Sequence, residues 1–467
     1  MKFKLHTDTC ELLTDTMTPV NMYLKVRDKY PESVLLESSD YGANDNSVAY
    51  ICFNPIASFK VHNQHITERF PDGSTSQADV TADFSVVDKL EAFTARFETD
   101  EQQNRFLSNG LFGYTSYEAV QYFEDIELTK KHDDADIPEI YYALYQNIIA
   151  VNVFNNQAKL FSHCYQSESN LDEITQLLKA PTRDSYSFKK EGKASSNMCD
   201  EEFVALVKRG IKHCMRGDVF QIVLSRRFSQ TYSGDDFSLY RVLRSINPSP
   251  YIFYFDFGGF KIFGSSPEAQ LVVQDGLAEI HPIAGTFIRT GNDIQDEAKA
   301  KELAKDFKEN AEHMMLVDLA RNDLSRHGHE VTVEKDREVQ FYSHVIHLVS
   351  KVTGQKKSDT ATMQIVADTF PAGTLSGAPK HRAMQLIDSY ETTDRSFYGG
   401  AIGFLDFKGN YNHAIIIRSF LSKNNVLHYH AGAGVVSKSN PESELQEVYN
   451  KLRALNNAMD KAEKQFP

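Results

Sequence analysis

Residues 426–459 read VLHYHAGAGVVSKSNPESELQEVYNKLRALNNAM and predict a strand, a glycine-rich turn and a long helix. The first five residues form a strand-like run. Asn440 and Pro441 suit the N-cap and first position of a helix that continues to Met459. Gly432 and Gly434 permit backbone N–H groups to approach a ligand, although tight turns explain such glycines more readily. The segment matches neither a phosphate-binding loop nor a dinucleotide fingerprint.

The apolar pattern divides the 467-residue chain into two parts, and the stretch quoted above belongs to the second. Alternating runs such as Tyr141–Val153 predict a largely β region in the first part. Residues 180–198 are rich in Ser, Lys, Arg and Gly and predict a solvated connection. Helix-like and strand-like runs are mixed in the second part. We therefore expect an N-terminal domain over residues 1–180 and a second domain over residues 199–460.

The overall charge disfavours some classes of partner. The chain carries 50 Lys and Arg against 64 Asp and Glu, a net charge of -14, which disfavours nucleic acid and anionic membranes. The N-terminus lacks a signal-peptide pattern and no run approaches ~18 apolar residues, so we expect a cytoplasmic protein. The five cysteines are widely spaced and favour reduced thiols over disulfides or a thiolate metal site. Any anionic ligand must be neutralised locally.

Two predicted helices each carry glutamates three residues apart, Glu309 with Glu312 and Glu444 with Glu447. This spacing places each pair on one helix face. Four convergent carboxylates would form an oxygen-rich site suited to Mg²⁺. Glutamates at this spacing also commonly do no more than solvate a helix, and a salt bridge from Glu312 to Arg321 would explain its place beside an apolar stripe. On spacing alone, these interpretations stay open.

Three other polar residues stand at apolar segments. Arg418 ends the strand-like run Ala414–Arg418, where a guanidinium suits a bidentate bond to a carboxylate. Lys451 lies one turn beyond Glu447 on the same helix face. A structural pair with a glutamate would explain either cation as well. His347 interrupts an apolar segment and is either a proton-transfer residue or a hydrogen-bonded core histidine.

A series of separated segments resembles, in order, those of the chorismate-utilising enzymes. They are Gly217–Ser225, Gly264–Glu268, Pro282–Thr286, Glu312–Asp323, His347–Leu348, Pro371–Pro379, Tyr398–Gly400 and Ala431–Lys451. The resemblance spans about residues 200 to 455. It implies an α+β fold in which large antiparallel β-sheets pack as a sandwich with helices outside.

Two positions distinguish branches of this family. Aminodeoxychorismate synthases usually carry a nucleophilic lysine where this chain has Ala284, which cannot attack a substrate. Isochorismate and salicylate synthases carry a lysine base where this chain has Gln221, and glutamine is no base. The resemblance therefore favours the anthranilate synthase component I branch, which converts chorismate and ammonia to anthranilate and pyruvate. The rivals are aminodeoxychorismate synthase component I and a non-catalytic, tryptophan-sensing homologue.

The resemblance also implies roles for individual residues. Mg²⁺ would be held by Glu312 and Glu447, with Glu444 as a further ligand or support. Catalytic roles fall to His347 in proton transfer, to Thr374 near the leaving hydroxyl and to Glu309 beside the metal. The residues implied in substrate binding are Tyr398, Arg418, Gly432, Gly434, Lys451, Ala284, Gly285, Thr286 and Gln221.

Two short segments resemble the tryptophan feedback site of anthranilate synthases. The residues concerned are Leu36, Glu37, Ser38, Asn247, Pro248, Ser249, Pro250, Tyr251 and Ile252. They would line an indole pocket between the two parts of the chain, so tryptophan is an expected inhibitor. Ile252 is commonly methionine in the family, which bears on inhibitor affinity. A strand end and a proline-rich turn would explain the same two segments without an inhibitor site.

The implied reaction needs a source of ammonia. None of the five cysteines lies in a glutaminase G-x-C-x-G motif. The resemblance therefore implies a separate glutamine amidotransferase subunit, component II, and so a hetero-oligomer. Free ammonia is expected to substitute for that subunit in vitro.

Overall fold

The computed structural model describes residues 2–38, 47–81, 84–100, 106–131, 134–181, 186–341 and 345–467. The helices are α1 Pro19–Arg27, α2 Val86–Thr94, α3 Leu171–Lys179, α4 Asp200–Arg216, α5 Asp236–Ile246, α6 Asp293–Leu303, α7 Phe307–Ser325, α8 Thr362–Thr369, α9 Lys380–Tyr390 and α10 Pro441–Gln465. Short 3₁₀ helices cover Tyr117–Tyr122 and Gly373–Leu375.

The strands are β1 Phe3–Leu13, β2 Val34–Ser38, β3 Val48–His62, β4 His65–Arg69, β5 Thr75–Asp79, β6 Phe97–Thr99, β7 Leu111–Thr115, β8 Ile140–Asn152, β9 Gln157–Cys164, β10 Phe188–Ser196, β11 Gln221–Gly234, β12 Tyr251–Asp256, β13 Lys261–Ser266, β14 Ala269–Gln274, β15 Leu277–Ile280, β16 Ile283–Ile288, β17 Gly328–Phe341, β18 Val345–Lys356, β19 Gly377–Ala378, β20 Ala401–Leu405, β21 Tyr411–Ile415, β22 Ser419–Lys423 and β23 Val426–Val435. Among the described strands, all ladders are antiparallel except that of β1 with β6. The predicted α+β fold with large antiparallel sheets is confirmed.

The helices begin and end where local chemistry favours it. Asn440 caps α10 by accepting a hydrogen bond from the Ser443 N–H at 2.9 Å, and Pro441 takes the first helical position. Asp306 caps α7 in the same way through the Glu309 N–H at 3.0 Å. The two predicted glutamate-bearing helices are therefore present.

The glycine-rich segment that follows His430 does not turn. Gly432 and Gly434 lie inside β23, where they pair with Ser225 and Val223 of β11. The prediction of a turn was wrong because the glycines serve close approach between neighbouring groups rather than a change of chain direction.

Strands from the two predicted parts share ladders. β2 pairs with β12 and β7 pairs with β20, and one hydrophobic core contains both Leu35 and Phe203. The boundaries 1–180 and 199–460 stay a prediction. Within the expected connection, however, residues 188–196 form β10, which pairs with β11. Most β10 side chains are exposed, so its polar composition reflects a solvated strand rather than an irregular linker.

Among the described residues, no helix combines the length and apolar character that crossing a bilayer requires.

Candidate active site

One wall of the site is the ladder between β11 and β23. Gln221 begins β11, and its Nε2 donates a hydrogen bond to Glu312 Oε1 at 3.1 Å. A Cβ placed on Gly434 would lie 2.5 Å from that Nε2, and one on Gly432 would lie 3.0 Å from the Tyr398 hydroxyl. Both glycines are therefore required so that polar side chains can reach across the strand. The structure brings these five predicted residues together.

Arg418 occupies the turn between β21 and β22 with a φ of 51°. This left-handed conformation is uncommon for an arginine and points to a held position. Burial lowers the pKa of its guanidinium, while Tyr398 and Glu447 oppose that shift. In the described part of the chain, no carboxylate lies within ion-pair distance of Arg418. A half-buried cation without such a partner is suited to bind an anionic ligand.

Lys451 faces the same wall from α10. Its Nζ donates to the Gly432 carbonyl oxygen at 2.8 Å and pairs with Glu447 Oε1 at 2.6 Å. The pair with Glu447 is the structural role that the sequence left open for this lysine. It does not exclude a ligand contact, because the ammonium has three donors.

The two glutamate pairs lie on α7 and α10. Glu312 contacts Gln221, Glu447 contacts Lys451, and Glu444 is buried. Glu309 lies near Gly285, whose added Cβ would stand 3.2 Å from Glu309 Oε2. Arg321, the alternative partner proposed for Glu312, pairs with Asp318 at 3.1 Å.

The carboxylates suit a hard cation, but the side chains that the structure describes do not form a ligand cluster. Within the described residues, no three His, Cys, Asp or Glu side chains are grouped as metal ligands. Mg²⁺ commonly uses only one or two carboxylates and completes its shell with water and substrate oxygens. Glu312 and Glu447 fit that requirement, and the metal site stays a prediction.

His347 lies on β18 opposite β16. Gly285 is the extra residue of a β-bulge between Ala284 and Thr286, with a φ of 70°, and its carbonyl oxygen lies 2.7 Å from His347 Nδ1. Burial lowers the pKa of His347, and the Arg418 charge lowers it further. Ala284, which precedes Gly285 on β16, is buried. The side chain of Thr286 lies outside the described part of the structure.

Glu268 is a functional candidate to which the sequence reasoning assigned no role. Thr374 donates a hydrogen bond from its hydroxyl to Glu268 Oε1 at 3.0 Å. Burial raises the pKa of Glu268 to about 7, against the opposing effects of Thr374 and Lys451. Its presence in the segment Gly264–Glu268 was the available signal. A carboxyl that is half protonated near neutral pH is suited to donate a proton.

Arg395 is a second residue that the sequence did not reveal. Its buried guanidinium donates to the carbonyl oxygens of Leu375 and Val223 and to the Glu391 carboxylate, all within 2.6–2.8 Å. It thereby ties the 3₁₀ turn that carries Thr374 to β11. Nothing in its local sequence indicates this role.

The residues of the expected inhibitor site meet on one ladder. Ser38 and Tyr251 are directly paired, as are Glu37 and Ile252. The Glu37 carboxylate accepts hydrogen bonds from Tyr240 at 2.7 Å and from Arg244 at 2.7 and 2.6 Å.

The remaining residues of that site lie within the same ladder or in the turn that leads into it. Leu36 pairs with Phe253, Ser249 is buried, and the Asn247 carbonyl accepts from Ser265. Pro248 and Pro250 complete the turn before β12, and residues 39–46, which follow Ser38, lie outside the described residues.

Comparison with known proteins identifies the family of this chain. The profile of the chorismate binding enzyme family matches residues 32–457. Anthranilate synthase component 1 of Aquifex aeolicus is 35% identical, over 97% of this chain and 94% of that protein. Anthranilate synthase component 1 of Neisseria meningitidis (strain FAM18) is 38% identical, over 95% of this chain and 93% of that protein.

Solved structures give the same result for the fold. Anthranilate synthase component I of Streptococcus pneumoniae superposes with a TM-score of 0.77 at 31% identity, covering 89% of this chain and 93% of that one. The menaquinone-specific isochorismate synthase MenF of Escherichia coli superposes with a TM-score of 0.73 at 18% identity, covering 98% and 95%, which supports the fold alone. The chain belongs to the chorismate-binding enzymes and, within that family, to the anthranilate synthase component 1 group.

Proposed function

We propose that this enzyme converts chorismate and ammonia to anthranilate, pyruvate and water through aminodeoxyisochorismate. The observation that carries the proposal is the position of the Gln221 side chain. Its amide donates a hydrogen bond to Glu312 at 3.1 Å and lies beside Gly434. An amide cannot activate water at this position, whereas ammonia is nucleophilic without a base. Ala284 offers no side-chain nucleophile for a covalent route. Both features favour direct amination.

Substrate binding falls to the cations and dipoles of the wall described above. Arg418 would hold one carboxylate of chorismate in a bidentate pair, with the Tyr398 hydroxyl and the backbone of Gly432 and Gly434 beside it. Lys451 would exchange part of its contact with Glu447 for the substrate. A chain of net charge -14 can bind a dianion in this way because the positive groups are concentrated in one place.

Proton transfer falls to Glu268 and His347. As ammonia forms its bond to the ring, the allylic C–O bond breaks and Glu268 gives its proton to the departing oxygen, which leaves as water. Thr374 keeps the Glu268 carboxyl in place through its 3.0 Å hydrogen bond. His347 then removes the ring proton, and the enolpyruvyl group leaves as pyruvate after taking up a proton. The aromatic ring that results drives this second step.

Glu312 and Glu447 would hold Mg²⁺, supported by Glu309 and Glu444. When bound, the ion would neutralise and orient a substrate carboxylate. These four residues would otherwise present negative charge to a dianionic substrate, which is unfavourable.

We further propose that ammonia comes from a glutamine amidotransferase subunit and that tryptophan inhibits the enzyme. The first rests on the absence of a glutaminase motif around the five cysteines. The second is supported by the pairing of Ser38 with Tyr251, because it brings together the two segments that resemble the feedback site. Both the amidotransferase subunit and tryptophan would act from outside the chorismate site.

The test is incubation of the purified chain with chorismate, Mg²⁺ and ammonium, followed by anthranilate fluorescence and chromatography of the products. Anthranilate and pyruvate in equal amounts support the proposal. Aminodeoxychorismate as the accumulating product would replace it with the sister reaction. Chorismate binding without any product would indicate a non-catalytic binding protein. Omission of Mg²⁺ and addition of chelator test the metal separately.

A further inference from the structure

A buried glutamine beside Glu268 has no role in the reaction as set out above. Gln270 is 2% exposed and lies on β14, two residues after Glu268. It is the extra residue of a β-bulge, because Ala269 pairs with Ala414 and Leu271 pairs with His413. Bulges next to active sites commonly redirect a side chain. This one redirects Gln270 away from the regular alternation of the strand.

The orientation of the Gln270 amide follows from its neighbour. Its Nε2 donates to Thr369 Oγ1 at 3.0 Å. The Thr369 hydroxyl donates its own proton to carbonyl oxygens of α8 at 3.0–3.1 Å, so towards Gln270 it can only accept. Reversing the amide would place two acceptors against each other. The carbonyl oxygen Oε1 is therefore on the opposite side, and no described residue donates to it.

Gln270 lines a cavity of about 30 Å³ together with Glu268, Thr374 and Asp323. A space of this size can admit a water molecule or a hydroxyl group. The polar groups at this cavity are mainly acceptors, and Asp323 is already paired with Lys380 at 2.7 Å. Leu316 and Leu319 belong to the apolar part of the cavity lining. Thr369, the partner of the Gln270 Nε2, lines the same cavity, and the buried Gln270 carbonyl oxygen lacks a donor among the described residues. A small hydrogen-bond donor in the cavity would satisfy that oxygen.

We propose that Gln270 forms a leaving-group subsite, in which its carbonyl oxygen accepts a hydrogen bond from the allylic hydroxyl of chorismate and then from the water that this hydroxyl becomes. The inference rests on the proposed function. The C–O bond breaks, Glu268 transfers its proton to the departing oxygen, and the water formed lies between Glu268 and Gln270. Glu268 remains as a carboxylate beside the new ammonium group and regains its proton from that group or from solvent. Gln270 thereby orients the leaving group for protonation.

Gln270→Leu tests the subsite because it removes the acceptor at similar volume. Gln230→Leu is a matched control, since Gln230 is a 4% exposed glutamine on β11 that bonds to the Glu191 and Thr231 carbonyls outside the cavity. With ammonium as nitrogen source, Gln270→Leu should lower kcat about 10- to 100-fold and leave the KM for chorismate nearly unchanged. Gln230→Leu should change neither. Gln270→Met serves if the leucine variant does not fold.

A binding measurement separates the subsite from a structural role. Calorimetry compares chorismate with an analogue whose allylic hydroxyl is replaced by hydrogen. The wild type should prefer chorismate, and Gln270→Leu should lose most of that preference. Equal preference in both proteins, or the same kcat loss in Gln230→Leu, overturns the subsite. The comparison needs no turnover, so a wild type that makes no anthranilate refutes the proposed function while the subsite is still judged by binding.

Discussion

His347 Nδ1 lies 2.7 Å from the carbonyl oxygen of Gly285, and a carbonyl oxygen can only accept a hydrogen bond. Nδ1 therefore carries the proton of the neutral imidazole, and the lone pair is on Nε2. Burial and the Arg418 charge lower the pKa of His347, against the opposing effect of the hydrogen bond to Gly285, and so favour the neutral imidazole. A bulge at Gly285 thus fixes the tautomer that a general base needs.

We predict that His347→Ala leaves chorismate affinity nearly intact and lowers turnover about 10²- to 10⁴-fold, as expected for loss of a general base. Steady-state kinetics with ammonium, together with calorimetry of chorismate binding, separate the two effects. His163→Ala, a buried histidine in the N-terminal part, is the control and should retain activity. Weaker binding with unchanged turnover would refute the role of His347.

Glu268 should set the alkaline limit of activity. Its pKa is raised to about 7 by burial, and only the protonated form can donate, so activity should fall as pH rises through about 7. The measurement is kcat/KM for chorismate against pH, because this ratio reports the pKa of the free enzyme, and free ammonia is held constant because ammonia itself titrates. Glu268→Gln should show low activity without this limb. A limb that persists unchanged in the variant belongs to another group.

The same pKa has a consequence for stability. A carboxyl whose folded pKa is raised favours folding at low pH, and that contribution is lost as pH rises from the ordinary value of 4.5 through about 7. The free energy of unfolding of Glu268→Gln should therefore decrease less than that of the wild type over this interval. Urea titrations at several pH values measure it, and parallel curves would contradict the assignment.

Arg418→Met should raise the Kd for chorismate about 10- to 100-fold, because a bidentate charge-assisted contact is lost. The free energy of unfolding should not fall, since burial of a cation without an ion pair is unfavourable. Calorimetry and urea denaturation measure the two quantities. A destabilised variant that binds chorismate normally would mean that Arg418 is structural.

Gly434→Ala should disturb Gln221, since the added Cβ would lie 2.5 Å from Gln221 Nε2. We expect loss of the Gln221–Glu312 contact and a lower kcat/KM. Gly259→Ala, at a glycine with no atom within 4 Å of the added Cβ, is the control. The double variant Gly434→Ala with Gln221→Ala should be less impaired than the sum of the single changes. Strict additivity would show that the two positions act independently.

Ser38→Ala should weaken tryptophan binding, because Ser38 pairs with Tyr251 in the ladder that joins the two segments proposed to bind tryptophan. In the wild type, saturating chorismate should raise the Kd for tryptophan, since coupling between two ligands is reciprocal. Titration calorimetry with and without chorismate tests both statements. An unchanged tryptophan affinity in Ser38→Ala would contradict the role of Ser38. An unchanged affinity with saturating chorismate would contradict the coupling between the two ligands.

Part of the fold could be predicted from local pattern, whereas the roles in the candidate site came from the resemblance of the ordered segments to a family and stay predictions. A helix cap depends on neighbouring residues, so the start of α10 could be predicted from Asn440 and Pro441. The exposed strand β10 was missed because it lacks the apolar alternation of a half-buried strand.

Roles that depend on long-range register were not visible. Glu268 acquires its raised pKa through burial by distant segments, and Arg395 joins residues 172 and 20 positions away. The bulge at Gln270 follows from its register with β21, which no local property of Ala269 or Leu271 indicates.

The ladders of β2 with β12 and of β7 with β20 determine how the chain can be divided. Without residues 1–180, the strands Tyr251–Asp256 and Ala401–Leu405 would each present a row of unpaired backbone groups, which promotes aggregation. A single proteolytic cut between the halves would leave both ladders and the common core in place. The isolated second half should therefore precipitate, whereas the nicked protein should remain one active particle.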